Sequence, residues 1–205
     1  MARKTKAEAE QTRQDIFNAA LELFHDRGFS RTTLDQIARK AGVTRGAIYW
    51  HFKDKVDLFV GLKDEVEGSA GMRLEDFLQI SVDSLADMQE GLLSFFRSLE
   101  ENLRFRTYLR TVLFRTEFTD DLQPLMEQYQ HRLRLRQQKD EDDLRRLQKA
   151  GKVRADVDCI QAALAVRVLM IGLLHTWLMD SDIFSIAEQG GALTGEYFAS
   201  LRADG

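Results

Sequence analysis

The chain has one cysteine and one proline among its 205 residues. The single cysteine, Cys159, excludes an internal disulfide and fits a reducing compartment. Scarce proline, together with many Ala, Leu, Glu, Arg and Gln residues, favours an all-α protein. The first fifteen residues are polar and charged, so the sequence shows no secretory leader, and we expect a cytoplasmic protein.

Common motifs of catalysis and metal binding are also missing from the sequence. It has no Gly-rich phosphate loop, no CxxC pair and no GxSxG elbow. The four histidines have no metal-ligand spacing with one another or with Cys159. We therefore predict no enzymatic activity, no cofactor and no metal site.

The sequence also lacks an uncharged apolar run that is long enough to cross a membrane. The longest apolar stretch, Ala162 to Met179, contains Arg167 and His175. A lone membrane-spanning helix would tolerate these two side chains poorly. The run predicts a buried helix of a soluble protein, and we expect no membrane partner.

Charge is divided unevenly along the chain. Residues 1–55 contain 11 lysines and arginines against 7 acids, whereas the rest contains 18 against 26. The excess of basic residues in 1–55, next to an acidic remainder of the chain, indicates that residues 1–55 bind a polyanion.

Residues 33–55 predict two short helices joined by a tight turn, followed by the start of a third. Leu34, Ile37, Ala38 and Ala41 have the spacing of one buried helical face. Thr33 and Gln36 have capping-box spacing, Gly42 supplies the turn, and Thr44 can cap the second helix. This pattern is typical of a helix-turn-helix.

The same segment resembles the TetR family of bacterial one-component regulators. Residues 1 to about 60 are similar to the AcrR-type subgroup, which contains repressors of multidrug efflux pumps. The matching elements are Gly28, Thr32-Thr33, Ile37-Ala38, Ala41-Gly42-Val43, Gly46, Tyr49, Phe52 and Lys55. Beyond residue 70 the resemblance rests on helical pattern and on GLLHTWL at 172–178.

The second helix of the motif presents hydrogen-bonding, cationic and very small groups suited to the DNA major groove. Arg45 has the chemistry for a bidentate guanine contact, and Ala47 could meet a thymine methyl. Chemistry and resemblance together make Tyr49, His51 and Lys55 phosphate contacts, while Trp50 fits either the core or the DNA surface. The predicted DNA-binding residues are Thr33, Thr44, Arg45, Gly46, Ala47, Tyr49, Trp50, His51 and Lys55.

Pattern and resemblance together predict the domains. We expect a flexible basic arm over residues 1–7, a DNA-binding domain over 8–55, and a connecting helix at about 54–71. Residues 72–205 should form a helical domain that binds a ligand and dimerises. Its helices are expected at about 75–102, 104–118, 121–150, 156–180 and 184–202.

The expected helix at 156–180 is apolar on nearly every side and therefore needs cover on every side. A second copy of the chain could provide part of that cover, although a core helix of a monomer remains the alternative. In the TetR family the last two helices form the dimer interface. The predicted interface residues are Leu169, Leu173, Leu193, Tyr197, Phe198 and Leu201.

The large apolar side chains of the second part predict a core, and the resemblance adds a cavity for drug-like molecules. By resemblance, Glu67 on the connecting helix faces the ligand. Glu117 is a second candidate because it lies in a hydrophobic stretch, FRTEF. A buried carboxylate at either position would select cations. The predicted ligand-binding residues are Glu67, Phe95, Phe96, Phe114, Glu117, Met170 and Trp177.

These features together predict a homodimeric transcriptional repressor that binds near-palindromic operator DNA. The expected effector is a small hydrophobic molecule, cationic compounds included, and the expected target is a multidrug efflux-pump operon. Two alternatives stay open on the sequence: a TetR-type regulator that senses a metabolite such as an acyl thioester, and a DNA-binding adaptor without an effector.

Overall fold

The structure is a computed structural model that describes residues 5–71, 81–117 and 120–203, with the backbone alone for Asp121. In these ranges the regular structure is helical, apart from one isolated bridge between Val153 and Arg202. The predicted all-α class is confirmed. The α-helices are α1 Lys6–Arg27, α2 Leu34–Lys40, α3 Arg45–His51, α4 Lys55–Ser69, α5 Leu85–Glu101, α6 Leu103–Arg115, α7 Gln123–Lys149, α8 Cys159–Met179 and α9 Gly191–Ser200.

Helix α1 begins inside the segment that the sequence predicted to be an arm. The Thr5 side chain accepts a hydrogen bond from the Glu8 backbone N–H, and the Glu8 carboxylate accepts one from the Thr5 N–H. This capping box satisfies two donors that a helix start leaves open, so the helix starts at Lys6. Residues 1–4 of the predicted arm lie outside the described residues.

Helices α2 and α3 form the predicted helix-turn-helix. Thr33 caps α2 in a capping box with Gln36, and the Thr44 side chain caps α3 by accepting from the Ala47 N–H. Between them Gly42 adopts φ +67°, a left-handed conformation that glycine adopts without steric cost. Each of these three local expectations is confirmed.

An aromatic cluster fixes α1 and α4 against the turn that follows α1. Phe24, Phe29 and Phe59 are buried, with ring centroids 5.1–5.5 Å apart and two of the three pairs edge-to-face. Ile48 and Phe52 bury the inner side of α3 and the residue after it. The outer side of α3 is therefore held at the surface by a rigid core.

The described residues fall into two compact units. The first comprises Met1–Ser69 and Thr107–Met126, and the second comprises Ala70–Arg106 and Glu127–Gly205. The sequence had placed residues 107–126 with the C-terminal domain, but they pack in the first unit. There the Phe29 N–H donates to the Arg115 carbonyl at 3.0 Å.

Gly28 makes this packing of α6 against the turn after α1 feasible. Its φ is +85°, and a Cβ at this position would lie 3.0 Å from the Arg115 carbonyl oxygen. A larger residue would meet both a strained backbone and this close approach. The predicted end of α1 at Gly28 is confirmed.

In the second unit the expected helix at 75–102 begins only at Leu85, where the Ser84 side chain caps it by accepting from the Asp87 N–H. Residues 75–80 lie outside the described residues, and residues 81–83 are not helical. The expected helix at 156–180 is α8, which starts after Asp158 because that carboxylate accepts from the N–H groups of Ile160 and Gln161.

Helix α8 has one covered side and one open side. Ala162, Ala163, Trp177 and Leu178 are buried. In the described part of the chain, α8 is also the one helix long and apolar enough to cross a membrane by length and composition, a test that core helices of soluble proteins also pass. The Arg167 guanidinium donates to the Leu133 carbonyl of α7, which ties α8 into the helical unit.

Candidate DNA-binding and effector sites

The outer surface of α3 carries two exposed aromatic side chains in succession. Trp50 is 72 % exposed, and Tyr49 is exposed beside it. Large aromatic side chains at the surface are costly to leave in water, and they indicate a binding surface. Of the two options for Trp50, the core is therefore wrong. The Trp50 indole meets the His51 ring edge-on, with centroids 4.6 Å apart, and His51 is half-buried.

Arg45, the first residue of α3, is held on two sides. Its Nε lies 3.2 Å from the Asp35 Oδ1 on α2, and its Nη2 donates to the Tyr49 hydroxyl at 3.3 Å. The hydrogen bond to Tyr49 and the nearby Asp35 carboxylate raise the pKa of Arg45 above its ordinary value. Sequence reasoning did not identify Asp35, since only the fold brings the first turns of α2 and α3 together.

The start of α3 carries little side-chain bulk, because Thr44, Gly46 and Ala47 are small residues. The Thr44 Oγ1 accepts from the Ala47 N–H at 3.2 Å, so Thr44 has a structural role in the free protein. A Cβ added to Gly46 would meet no atom closer than the Thr44 Oγ1 at 3.9 Å. The fold of the chain alone does not require glycine here, which fits a surface that a partner approaches closely. Thr33 is likewise a cap and is exposed.

Lys55 differs from its predicted role as a phosphate contact. Its ammonium donates to the carbonyl oxygens of Phe29 at 2.9 Å, Thr32 at 3.0 Å and Ser30 at 3.5 Å. It also lies 4.3 Å from the Phe29 ring centroid. Three carbonyls account for the three N–H donors of a lysine. Lys55 thus joins the start of α4 to the turn before α2, and its predicted phosphate contact is not part of the DNA surface proposed below.

Glu67, the predicted ligand carboxylate, already has a cation beside it. The Lys63 Nζ lies 2.9 Å from the Glu67 Oε2, one helical turn away on α4, and 3.3 Å from the Asp64 Oδ1. The side chains of Lys63 and Glu67 are only 11 % and 17 % exposed. A cationic ligand at Glu67 would have to compete with this internal ammonium. Lys63 is a residue that sequence reasoning missed.

The predicted aromatic ligand residues of the second unit occupy different environments. Phe96 is fully buried and lies close to Gly190, so it is a core residue of the α5 packing. Phe95 is half-buried and meets Phe105 edge-on at 6.1 Å. Trp177 is buried, with the Arg106 guanidinium 5.6 Å from its ring centroid, and Met170 is half-buried.

Phe114 and Glu117 lie in the first unit at a separate, polar pocket of about 210 Å³. Both side chains are exposed. Arg27, Arg31 and Arg115 also line this pocket. Glu117 is therefore not the buried carboxylate that the sequence suggested, because solvent and arginines surround it.

The predicted dimer residues divide into surface and core. Phe198 and Leu201 are buried in the chain's own core, in a cluster with residues such as Leu85, Met88 and Leu144. Only 2 % of Phe198 and 6 % of Leu201 is exposed, so these two residues offer little surface to a partner and are not part of the interface proposed below. Tyr197 is half-buried and donates its hydroxyl hydrogen to the Ala162 carbonyl at 3.1 Å.

Leu169, Leu173 and Leu193 keep their place at the surface of the second unit. They line an open apolar groove of about 330 Å³ together with Val168, Gly172, Thr176, Phe184 and Gln189. Beside it runs a stripe of exposed side chains on α8, of which the first four are spaced three or four residues apart and the last follows eight residues later. The members of this α8 stripe are Ile160, Leu164, Val168, Ile171 and Met179.

Comparison with known proteins places the chain among bacterial regulators. The family model for bacterial regulatory proteins of the tetR family matches residues 16–62. The model for the C-terminal region of MAATS-type transcriptional repressors matches residues 83–202.

Relatives match over nearly the whole chain. The transcriptional regulator AcrR of Shigella flexneri is 37% identical over 92% of this chain and 88% of its own. NalD, described as the secondary repressor of the MexAB-OprM multidrug efflux pump in Pseudomonas aeruginosa, is 31% identical with a TM-score of 0.84, covering 98% of this chain and 100% of its own. A SmeT–triclosan complex is 29% identical with a TM-score of 0.78 over 95% and 93% of the two chains. The chain belongs to the TetR family of bacterial transcriptional regulators.

Proposed function

We propose that the protein is a cytoplasmic, ligand-responsive repressor of a multidrug efflux-pump operon. The observation that carries this proposal is the full-length likeness to NalD, which is described as an efflux-pump repressor. The α3 surface supports the DNA-binding part, because Arg45, Tyr49 and Trp50 are exposed on a helix whose inner side is fixed in the core. The predicted contacts at Thr33, Thr44, Gly46, Ala47 and His51 remain part of this proposal.

The repressor is proposed to act as a homodimer through α8 and α9. The α8 stripe exposes five large apolar side chains, and the groove lined by Leu169, Leu173 and Leu193 adjoins it. A contiguous apolar surface of this kind marks an interaction site on a soluble protein. A second copy placed about a two-fold axis would bury the same face of both subunits and present two α3 helices to a near-palindromic operator.

The effector is proposed to be a small, apolar molecule that prefers the conformer with the lower operator affinity. Such a preference is what moves the equilibrium between two states. The described complex of a relative with triclosan supports this class of molecule. Because Lys63 already neutralises Glu67 at 2.9 Å, neutral compounds are favoured over the cations that the sequence alone suggested.

Selection of DNA from a random pool tests the proposed function. The purified protein should enrich one two-fold symmetric sequence whose half-sites lie roughly 34–36 Å apart or a multiple of that distance. A panel of antimicrobial compounds that includes triclosan should then release the selected duplex in a fluorescence anisotropy assay. Absence of any enriched sequence contradicts the DNA-binding function. Enrichment without release by any compound contradicts the control by effectors.

Replacement of Lys63 with methionine should increase affinity for an apolar cation. The change removes the ammonium that pairs with Glu67 and leaves a carboxylate in a mostly buried site, where a ligand cation can take its place. Tetraphenylphosphonium should bind roughly ten-fold more tightly, a difference of about 1.4 kcal/mol. Affinity for the neutral probe 1-naphthol should stay the same. Isothermal titration calorimetry measures both.

Lys63→Arg provides the matched control, since it keeps a cation one turn from Glu67 and should leave both affinities near those of the unchanged protein. The double variant Lys63→Met, Glu67→Gln should lose the gain for tetraphenylphosphonium. An unchanged affinity for the cation in Lys63→Met would show that Glu67 is not a ligand contact.

A further inference from the structure

Arg45, on the predicted DNA surface, contacts a side chain on each of the two helices of the motif. Its Nε lies 3.2 Å from the Asp35 Oδ1 on α2, and its Nη2 donates to the Tyr49 hydroxyl on α3. The guanidinium carbon also lies 5.5 Å from the Tyr49 ring centroid. All three side chains are solvent-accessible, with 65 % of Arg45 and 52 % of Asp35 exposed.

These contacts determine which donors of Arg45 remain free to point outward. A guanidinium carries five N–H donors in one rigid plane. The Tyr49 hydroxyl accepts one N–H of Nη2, and the Asp35 carboxylate lies against Nε as an ion pair, so both donors of Nη1 and one donor of Nη2 remain on the outer side. Two neighbouring nitrogens of this kind match the O6 and N7 acceptors of guanine in the major groove.

Asp35 is an unexpected residue on a surface meant for a polyanion. It lies in the first turn of α2, where a helix N-terminus favours a carboxylate. That location stabilises the charged Asp35 carboxylate in the free protein. Near DNA, however, every phosphate within reach repels this charge. The repulsion applies to all DNA sequences, whereas an orienting effect on Arg45 helps only where a guanine is present.

We propose that Asp35 is a specificity-determining residue. It holds the Arg45 guanidinium in the orientation that reads guanine, and its charge lowers the affinity for DNA of random sequence. Asp35 acts through Arg45, so it is a positioning residue and makes no base contact of its own. The inference rests on the DNA-binding function proposed above and adds the means by which the motif discriminates.

The test compares Asp35→Ala with the unchanged protein on three kinds of duplex: the sequence selected by the unchanged protein, the same sequence with each G·C pair replaced in turn by A·T, and a random sequence. Affinity for the selected duplex should fall roughly three- to ten-fold, since Arg45 loses its orientation. Affinity for the random duplex should rise, because each DNA-binding domain loses a negative charge. The preference for guanine at one position should weaken.

Glu22→Ala is the matched control. Glu22 is an exposed acid of the same unit that pairs with a cation, Lys40 at 2.5 Å, and it has no contact with Arg45. This variant should raise affinity for all three kinds of duplex by a similar small factor. If Asp35→Ala behaves in the same way, Asp35 contributes only charge, and the positioning role is wrong.

The double variant Asp35→Ala, Arg45→Ala separates positioning from a direct contact. In the Arg45→Ala background the additional loss of Asp35 should leave base preference unchanged, since the side chain that Asp35 orients is gone. A further change in base preference would overturn the inference and make Asp35 itself a reader of the bases. Failure of the unchanged protein to enrich any duplex would instead overturn the proposed function, and the inference with it.

Discussion

Val168→Asp should give a folded monomer that binds its operator far more weakly than the unchanged protein does. Val168 is 61 % exposed and lies in the middle of the α8 stripe, so a carboxylate there costs the subunit little. In a dimer the two symmetry-related carboxylates would be buried in an apolar interface without partners, which is strongly unfavourable. Sedimentation equilibrium at micromolar concentration should report the mass of one chain.

Operator affinity should fall at least about 100-fold in the same variant. A dimer binds its second half-site as an intramolecular step at high effective concentration, and a monomer loses this advantage. Ser94→Asp adds the same charge at an exposed position of α5 and should remain a dimer with unchanged affinity. A Val168→Asp protein that stays dimeric would exclude the α8 stripe from the interface.

Phe198→Ala offers a contrast that distinguishes the core from the interface. Phe198 is 2 % exposed within the single chain and belongs to its hydrophobic core. Its truncation should lower the free energy of unfolding by roughly 3–5 kcal/mol, measured by urea denaturation, without producing a well-folded monomer. Substitution of Val168 on α8 should therefore disrupt the dimer, whereas substitution of Phe198 on α9 should destabilise the fold of the subunit.

The helix-turn-helix was predictable from the sequence because local rules determine it. Thr33 and Thr44 cap the helices that follow them, and Gly42 takes the left-handed conformation of the turn. Each of these roles depends on residues at most four positions away. The start of α5 belongs to the same class, because Ser84 and Asp87 have the spacing of a helix cap that was visible in the sequence.

The distribution of apolar residues on α8 and α9 was not predictable in the same way. Nearly uniform hydrophobicity shows that a helix needs cover, but not which side its own chain provides. Phe198 and Val168 are both apolar residues, yet Phe198 packs in the core and Val168 is exposed. Only long-range packing distinguishes them, which is why the sequence could not separate core positions from surface positions on these two helices.

Polar partners show the same division between local and long-range information. The pair of Lys63 and Glu67 has the i, i+4 spacing of a helical ion pair, so the sequence contained a signal for it. The contacts of Lys55 with carbonyls 23 to 26 residues earlier, and of Asp35 with Arg45 across the turn, had no such signal. A charged side chain assigned to DNA from its chemistry and from a family resemblance, such as Lys55, can therefore have internal partners.

Arg45→Ala should cost roughly 1–3 kcal/mol per half-site on the selected duplex, and up to about twice that for a dimer on two half-sites. The loss should be much larger on specific DNA than on random sequence, where Arg45→Ala removes only one positive charge, because a guanine contact has no counterpart on random sequence. The preference at one base position of each half-site should relax, and the dependence of affinity on salt should change little compared with the loss of a phosphate contact. Fluorescence anisotropy at several salt concentrations measures these quantities.

Lys40→Ala is the control for Arg45→Ala, since it removes a cation of the same unit that pairs with Glu22 instead of facing outward from α3. It should weaken specific and random binding by the same small factor. Arg45→Ala would behave like this control if its guanidinium contacted only phosphates. In that case the orientation imposed by Asp35 and Tyr49 would not serve base recognition, and the discrimination between operators would have to come from Thr44, Ala47 or the shape of the DNA.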